Sequence, residues 1–273
     1  MTTKLFAAED MMKPAVAGET SSFIVVYKPP CMHSAPLREN KGGSVDETQN
    51  GETQGDGIQS DGTQNDGTLL DFAAETWPEI RSVRGWKPVE GGLVHRLDYD
   101  TRGLLLIART QAALDALRGQ QEQNLIVKEY TAFSAGRGEA LPGFPRPGLP
   151  SPDNLIESAF RPYGKGRKAV RPVLPRPGLP LYQTEIVSYA ESGPGNHGSG
   201  PGRVFRLRLS RGYRHQIRCH LAWMGRPIVN DALYGGVADN AVSEGCLALC
   251  AAAISFTDPE TGRRVCYGLR MGV

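Results

Sequence analysis

The chain has 273 residues, 40% of them hydrophobic, with 33 glycines and 20 prolines, enough apolar material for one large or two small turn-rich domains. No run approaches the ~20 apolar residues of a membrane helix, and residues 1–15 carry Lys4, Glu9, Asp10 and Lys13 without the apolar core of a secretion signal, so a soluble cytoplasmic protein without membrane association is expected. The formal net charge of +2 hides an uneven distribution: residues 44–68 hold six acids and no base, leaving +8 on the remainder, while residues 203–227 carry seven arginines and no acid.

Taken in chain order, residues 1–21 read as an N-terminal extension and residues 22–273 as the domain proper. Phe23-Ile24-Val25-Val26-Tyr27 reads as a short strand stopped by Lys28-Pro29-Pro30. Residues 40–67 are built on imperfect copies of a short unit (GETQ, DGIQ, DGTQ, DGTL), acidic, glycine-rich and free of aromatics. Such a segment buries too little apolar area to offset its ordering entropy, which predicts a disordered acidic insert. Thr68 caps a helix with Leu69, Phe72 and Ala73 as its stripe, ending near Trp77-Pro78. Leu93 to Asp98 reads as a strand or strand end, followed by a turn over 99–103. Leu104-Leu105-Leu106-Ile107-Ala108 then suits a strand covered on both faces.

Thr110 caps a second helix, through about Gln120, with Leu114 and Leu117 inward. Ile126 to Phe133 alternates as a strand and puts Lys128 and Tyr130 on one face. Residues 136–182 read as loops, with the hexapeptide PRPGLP at 145–150 and again at 175–180, and residues 191–202 form another loose stretch. A strand with Phe205, Leu207 and Leu209 inward precedes a helix striped by Ile217, Leu221 and Met224 and stopped by Gly225. Strand material returns at 247–256 and 264–268, joined by a turn over 258–262. Strands and helices mix without a βαβ rhythm, and no GxGxxG follows a strand. The pattern therefore disfavours a doubly wound nucleotide fold and favours α+β with a mixed sheet.

Charge and chemistry point to a polyanion. Residues 161–176 add Arg161, Lys165, Arg167, Lys168, Arg171 and Arg176, again without an acid. A solvated surface face would intersperse acids, so nucleic acid is the expected partner. The five cysteines are odd in number and form no CxxC pair, which fits reduced, mostly buried thiols and no metal site. Three segments carry polar groups within apolar scaffolding. In His95-Arg96-Leu97-Asp98, a carboxylate beside a central strand calls for a cationic partner, although an isolated aspartate there more often caps a turn. In Lys128-Glu129-Tyr130 the tyrosine reads as a core residue or a site residue. In Gly212 to Arg218, the groups of Arg214, His215, Gln216 and Arg218 at a helix start suit phosphate.

Together these segments resemble the RluA-like RNA pseudouridine synthases. GGLVHRLDYDTRGLLLIA (91–108) resembles the family's HRLDxxTSGLLLxA signature, and VKEY (127–130) its K-x-Y strand. GYRHQIRCHLAWMGRPIVNDALYGG (212–236) resembles its G-R-T-H-Q-I-R-x-H-L…D…Y-G signature. FIVVYKPPCMHSAP (23–36) and LALCAAAISFTDPETG (247–262) are similar to its opening and closing strands.

The resemblance implies a mixed, largely antiparallel sheet with flanking helices and a central cleft. It also implies a cofactor-free reaction on structured ribosomal or transfer RNA: the glycosidic bond of a uridine breaks, the base turns, and C5 is joined to C1′. Asp98 matches the catalytic aspartate, acting on ribose or base. Arg218 matches the arginine that pairs with it and favours its ionised form. Tyr130 matches the tyrosine that stacks on the target base, Arg96 the residue that fills the gap left by the flipped nucleotide, and Leu249 a pocket wall. His95, Arg214, His215 and Gln216 are carried as substrate-binding candidates. Arg102, Tyr213 and Cys250 depart from the family's usual Ser, Arg and His, which bears on substrate contacts. The family's frequent S4 RNA-binding domain is not expected, and a monomer is favoured. Two other classes fit less well. An idle RNA-binding module would not need Asp98, Tyr130 and Arg218 together, and a glycosidase using Asp98 and Asp100 would not need so many arginines.

Overall fold

The computed structural model describes residues 2–7, 10–37, 67–146, 154–192 and 202–270. The expected insert at 40–67 (Gly67 and the cap apart), the last four residues of the first PRPGLP copy and most of 191–202 lie outside the described residues.

Two strands not anticipated from the sequence open the chain, β1 (Thr2–Phe6) and β2 (Ala15–Glu19). Residues 2–6 and 15–19 thus belong to the sheet rather than to an extension ahead of it. β3 (Phe23–Lys28) is buried along its whole length, as its unbroken apolar run requires. α1 (Leu69–Thr76) starts on a capping box: Thr68 Oγ1 accepts from the Asp71 amide at 3.2 Å, and Asp71 Oδ2 accepts from the Thr68 amide at 2.7 Å. β4 (Arg102–Ala108), α2 (Gln111–Glu122, capped by Thr110) and β5 (Val127–Ser134) follow where their patterns predict them.

The stretch 136–182, expected as loops, contains β6 (Leu155–Tyr163), β7 (Ala169–Val173) and the first residue of β8 (Tyr182–Ser192). Pro162 and Pro172 hide these strands from a pattern reading. They are tolerated because β6 pairs β8 only over 155–158 and β7 is the sheet's last strand, so Pro162 and Pro172 each have a side with no ladder partner. β9 (Gly202–Leu209), α3 (Gln216–Trp223), β10 (Leu249–Thr257) and β11 (Arg264–Leu269) complete the described elements.

The strands make one mixed sheet in the order β2-β3-β4-β10-β5-β9-β8-β6-β7, with β11 pairing β10 and β1. Among the described strands only β1–β11 and β4–β10 run parallel. Ile24, Val26, Leu105 and Ile107 face one apolar cluster that includes α1 and α3, whereas Val25, Tyr27, Leu104 and Leu106 face another that includes α2. That alternation is the two-residue period of a strand covered on both sides. At the parallel junction Gly103 has φ 129°, and a Cβ there would overlap the Ala251 backbone. The glycine lets β4 start hard against β10, immediately after the turn that carries Asp98.

Candidate active site

Residues 93–98, expected as a strand, are irregular: only Leu93 bridges, to Ile107. The segment is fixed by other means. Ser34 Oγ donates to the Leu97 carbonyl at 3.0 Å and accepts from the Leu97 amide at 3.2 Å. Lys28, fully buried, donates to the carbonyls of Pro29, Met32 and Tyr99 at 2.8, 2.8 and 3.0 Å, tying the loop after β3 to the turn after Asp98. Burial holds the Lys28 ammonium down to about 8. An irregular segment anchored at both ends presents Asp98 where the pleat of a strand would not.

Asp98 opens into a cavity of about 780 Å³ lined from the 93–101 segment, β5, the 212–218 helix start and Leu249. All nine candidate residues from the sequence line it. Asp98 is three-quarters buried, its Oδ2 lying 3.8 Å from Arg218 Nη1 and 3.9 Å from His215 Nε2. Burial raises its carboxyl above the ordinary value, which Arg218 opposes and Asp231 reinforces. Tyr130 stands in the wall, 8% exposed, and burial pushes its phenol up.

Arg218 does face Asp98 as expected, but it is shared. Arg218 Nε and Nη2 donate to the two oxygens of Asp231, each at 2.8 Å, in a buried two-point pair. Asp98 and Asp100 share the remaining Nη1 at 3.8 Å. Arg218 also lies over the Tyr234 ring, 5.5 Å from its centre, and Tyr234 accepts from the Val170 amide at 2.8 Å and meets His215 Nδ1 at 3.2 Å. Asp231, Tyr234, Lys28 and Ser34 are the site-building residues that the sequence reading did not assign. Asp231 and Tyr234 do sit within the D…Y-G part of the motif, which was the available signal.

The other candidates are placed as follows. Arg96 is exposed at the rim and held by Glu90 at 3.1 Å. Arg214 donates to the carbonyls of Arg167 and Ala169 at 2.8 and 3.1 Å, linking the cavity to the β6–β7 hairpin. Gln216 accepts from the Tyr213 amide at 2.9 Å and donates to Gln183 and Thr184 at 2.8 and 3.1 Å, which shapes the start of α3 rather than offering a free donor. His215 takes a left-handed conformation (φ 55°), and burial with two arginines nearby lowers its ring to about 4. Arg102 lies outside the cavity and donates to Ser243 at 3.1 Å.

The arginine run is also less free than its charge suggests. Arg208 reaches Glu129 and Glu185 at 3.1 and 3.2 Å, Arg206 reaches Glu129 at 3.4 Å, and Arg203 reaches Glu191 at 3.1 Å. The acids missing from the segment come from the strands beside β9.

α3 is tied to the sheet by His220, whose ring nitrogens lie 2.9 Å from Ser158 Oγ and 2.8 Å from Thr184 Oγ1. Burial lowers this ring to about 3 from 6.5. The unfolded chain therefore binds a proton below pH 6.5 that the folded chain refuses, so stability is full above that pH and lost as pH falls. Between pH 6.5 and pH 5 the loss is about 2 kcal/mol for this group. Thermal unfolding of wild type should show it, and His220→Gln should flatten the slope by that amount; an unchanged slope would mean that His220 is not the group responsible.

A family model described as RNA pseudouridylate synthase matches residues 22–223. The chain is 32% identical over 155 residues to ribosomal large subunit pseudouridine synthase D of Vibrio vulnificus (strain CMCP6), covering 53% of this chain and 38% of that one. It is 32% identical over 169 residues to the Yersinia pestis protein of the same name, covering 59% and 41%. The matched stretches are thus well under half the length of these relatives. A solved structure, human RNA pseudouridylate synthase domain containing 1, superposes with a TM-score of 0.56 at 17% identity over 96% of this chain and 85% of the other, a likeness of fold.

Proposed function

Because the chain belongs to the RluA-like RNA pseudouridylate synthase family, through a match that spans residues 22–223, we propose that it isomerises uridine to pseudouridine in structured RNA with Asp98 as nucleophile. The observation that carries this reading is the convergence of Asp98, Tyr130 and Arg218 on one cavity from three separate parts of the chain. In that arrangement the uracil ring lies against Tyr130 with its sugar side at Asp98. Arg218, locked by Asp231, supplies a fixed positive charge at the carboxylate. The reaction rearranges bonds within one nucleotide, so it calls for no cofactor, and the RNA is ribosomal or transfer RNA. Since burial raises the Asp98 carboxyl, the acid limb of activity lies above the ordinary carboxylate value of 3.8. Release of tritium from RNA labelled at uridine C5 tests the proposal, because only isomerisation displaces that hydrogen. An idle RNA-binding module would bind without release, and a glycosidase would liberate free uracil.

A stacked uridine cannot meet a carboxylate inside a cavity, so the nucleotide is extruded at a cost of a few kcal/mol. Arg96, exposed at the rim and paired with Glu90, is the residue assigned to stack where the base has left, a reading supported by its planar cation. Arg96→Ala is expected to slow turnover strongly on structured RNA and less on a substrate whose target is already unstacked, with little rescue by Arg96→Lys. Equal losses on both substrates, or full rescue by lysine, would reduce Arg96 to a charge.

A further inference from the structure

Beyond Tyr130 the cavity wall holds a cation with no partner. Lys128 stands two residues before Tyr130 on the same face of β5, is 5% exposed and lines the cavity. Lys28, equally buried, donates to three carbonyls, whereas Lys128 has no hydrogen-bond or ion-pair partner among the described residues, and burial alone acts on it. The neighbours offer none. Leu209 and Ile254 are its ladder partners, and a Cβ on Gly212 would stand 3.9 Å from its Nζ. His95, on which the charge of Lys128 acts, is held neutral with both ring nitrogens enclosed and unbonded. Glu90, the acid of the same wall, is taken by Arg96 at 3.1 Å. A buried ammonium left unpaired is costly, and such a cost is retained where the ligand brings the missing charge.

Lys128 and Tyr130 thus line the cavity side by side on one face of β5, with Gly212 against the ammonium. A pyrimidine resting against Tyr130 with its sugar side at Asp98 brings a ring carbonyl oxygen toward that face. Resting on the pseudouridine-synthase reading, we infer that Lys128 binds the oxyanion of the uracil ring, taking the negative charge that collects on a carbonyl oxygen as the base is detached. If Asp98 attacks C1′, the C1′–N1 bond breaks and its electron pair stays on the base, spread over N1 and both carbonyl oxygens. If Asp98 adds at C6, the C5–C6 π pair moves onto the C4 oxygen. Either route loads a uracil oxygen. On the first route the base turns and C5 bonds to C1′ as the Asp98–C1′ bond breaks; on the second the C1′–N1 bond breaks, C5 bonds to C1′ and the Asp98–C6 bond is then released. In both the C5 proton leaves, N1 takes up a proton and the Asp98 carboxylate is regenerated, so the isomerisation balances without a co-reactant.

The test is tritium release by wild type, Lys128→Met and Lys128→Arg as a function of pH, with thermal unfolding of each. Methionine removes a desolvated charge, so Lys128→Met should melt at or above the wild-type temperature. Its kcat should fall on the order of 10²-fold with KM little changed. Burial puts the ammonium's titration at about 8, and its protonated form is the active one, so wild-type kcat should decline above that pH. Lys28 titrates in the same range, and the variants assign the limb: it should vanish in Lys128→Met and move to higher pH in Lys128→Arg, which keeps part of the rate. Wild-type kcat in Lys128→Met, a loss confined to KM, or an alkaline limb unmoved in both variants overturns the inference while the enzyme reading stands. Wild type that releases no tritium from any RNA overturns that reading and this one together.

Discussion

Asp98→Asn is expected to lower tritium release by roughly 10⁴-fold or more while the melting temperature and RNA binding stay close to wild type. Asparagine keeps the shape but has no charge with which to attack carbon. The fold should tolerate it because, among the described residues, no short hydrogen bond depends on the carboxylate: Arg218 and His215 lie 3.8 and 3.9 Å away. Burial already works against the ionised form, so removing the charge relieves a desolvation cost. Asp100 is the necessary control. It shares Arg218 Nη1 at 3.8 Å, but its side chain is 45% exposed. Asp100→Asn should stay within about tenfold of wild type, short of the 10²-fold or more expected for a lost acid–base group. Equal collapse in the two variants would point to a paired-carboxylate mechanism, and substantial turnover by folded Asp98→Asn would remove the nucleophile from the scheme.

How much of this was legible in the sequence depends on whether local pattern or distant pairing decided the outcome. α1, α2, β4, β5 and β9 are local: a cap followed by a 3.6-residue stripe, or an unbroken or alternating apolar run, and each lies where its pattern puts it. The β6–β7 hairpin is decided by position at the sheet edge, which makes Pro162 and Pro172 harmless; no local signal carries that information. The segment before Asp98 has strand-like composition, yet Ser34 and Lys28, more than 60 residues away, hold it in an irregular path. The nine site candidates were found through motif resemblance and all reach the cavity, but their pairings were not readable. The 203–208 arginines meet acids of β5 and β8, and Arg218 meets Asp231. A run of one charge sign along the chain is therefore a weak guide to surface charge in a sheet, where neighbours come from other strands.

The Arg218–Asp231 pair leads to the second large effect. Both side chains are almost wholly enclosed and joined by two bonds of 2.8 Å. Removing either partner strands the other as a buried charge, at about 3–5 kcal/mol. Arg218→Ala and Asp231→Ala should each lower the melting temperature by about 10 °C, taking ~2–4 °C per kcal/mol for a chain of this size. Replacing both, with Arg218→Met and Asp231→Leu, should recover much of that loss because no charge is left to desolvate. Turnover should not return, since the cation facing Asp98 is gone. Asp231→Asn separates anchoring from electrostatics. It keeps an acceptor for the Leu233 amide, now 3.2 Å from Asp231 Oδ1, but leaves the guanidinium without its counter-charge. Asp231 raises the Asp98 carboxyl and Arg218 lowers it, so Asp98 should then ionise more readily. The acid limb of residual activity should move to lower pH in Asp231→Asn. A limb that stays in place would make Arg218 a purely structural residue and leave the charge on Asp98 to Arg214 and Lys28.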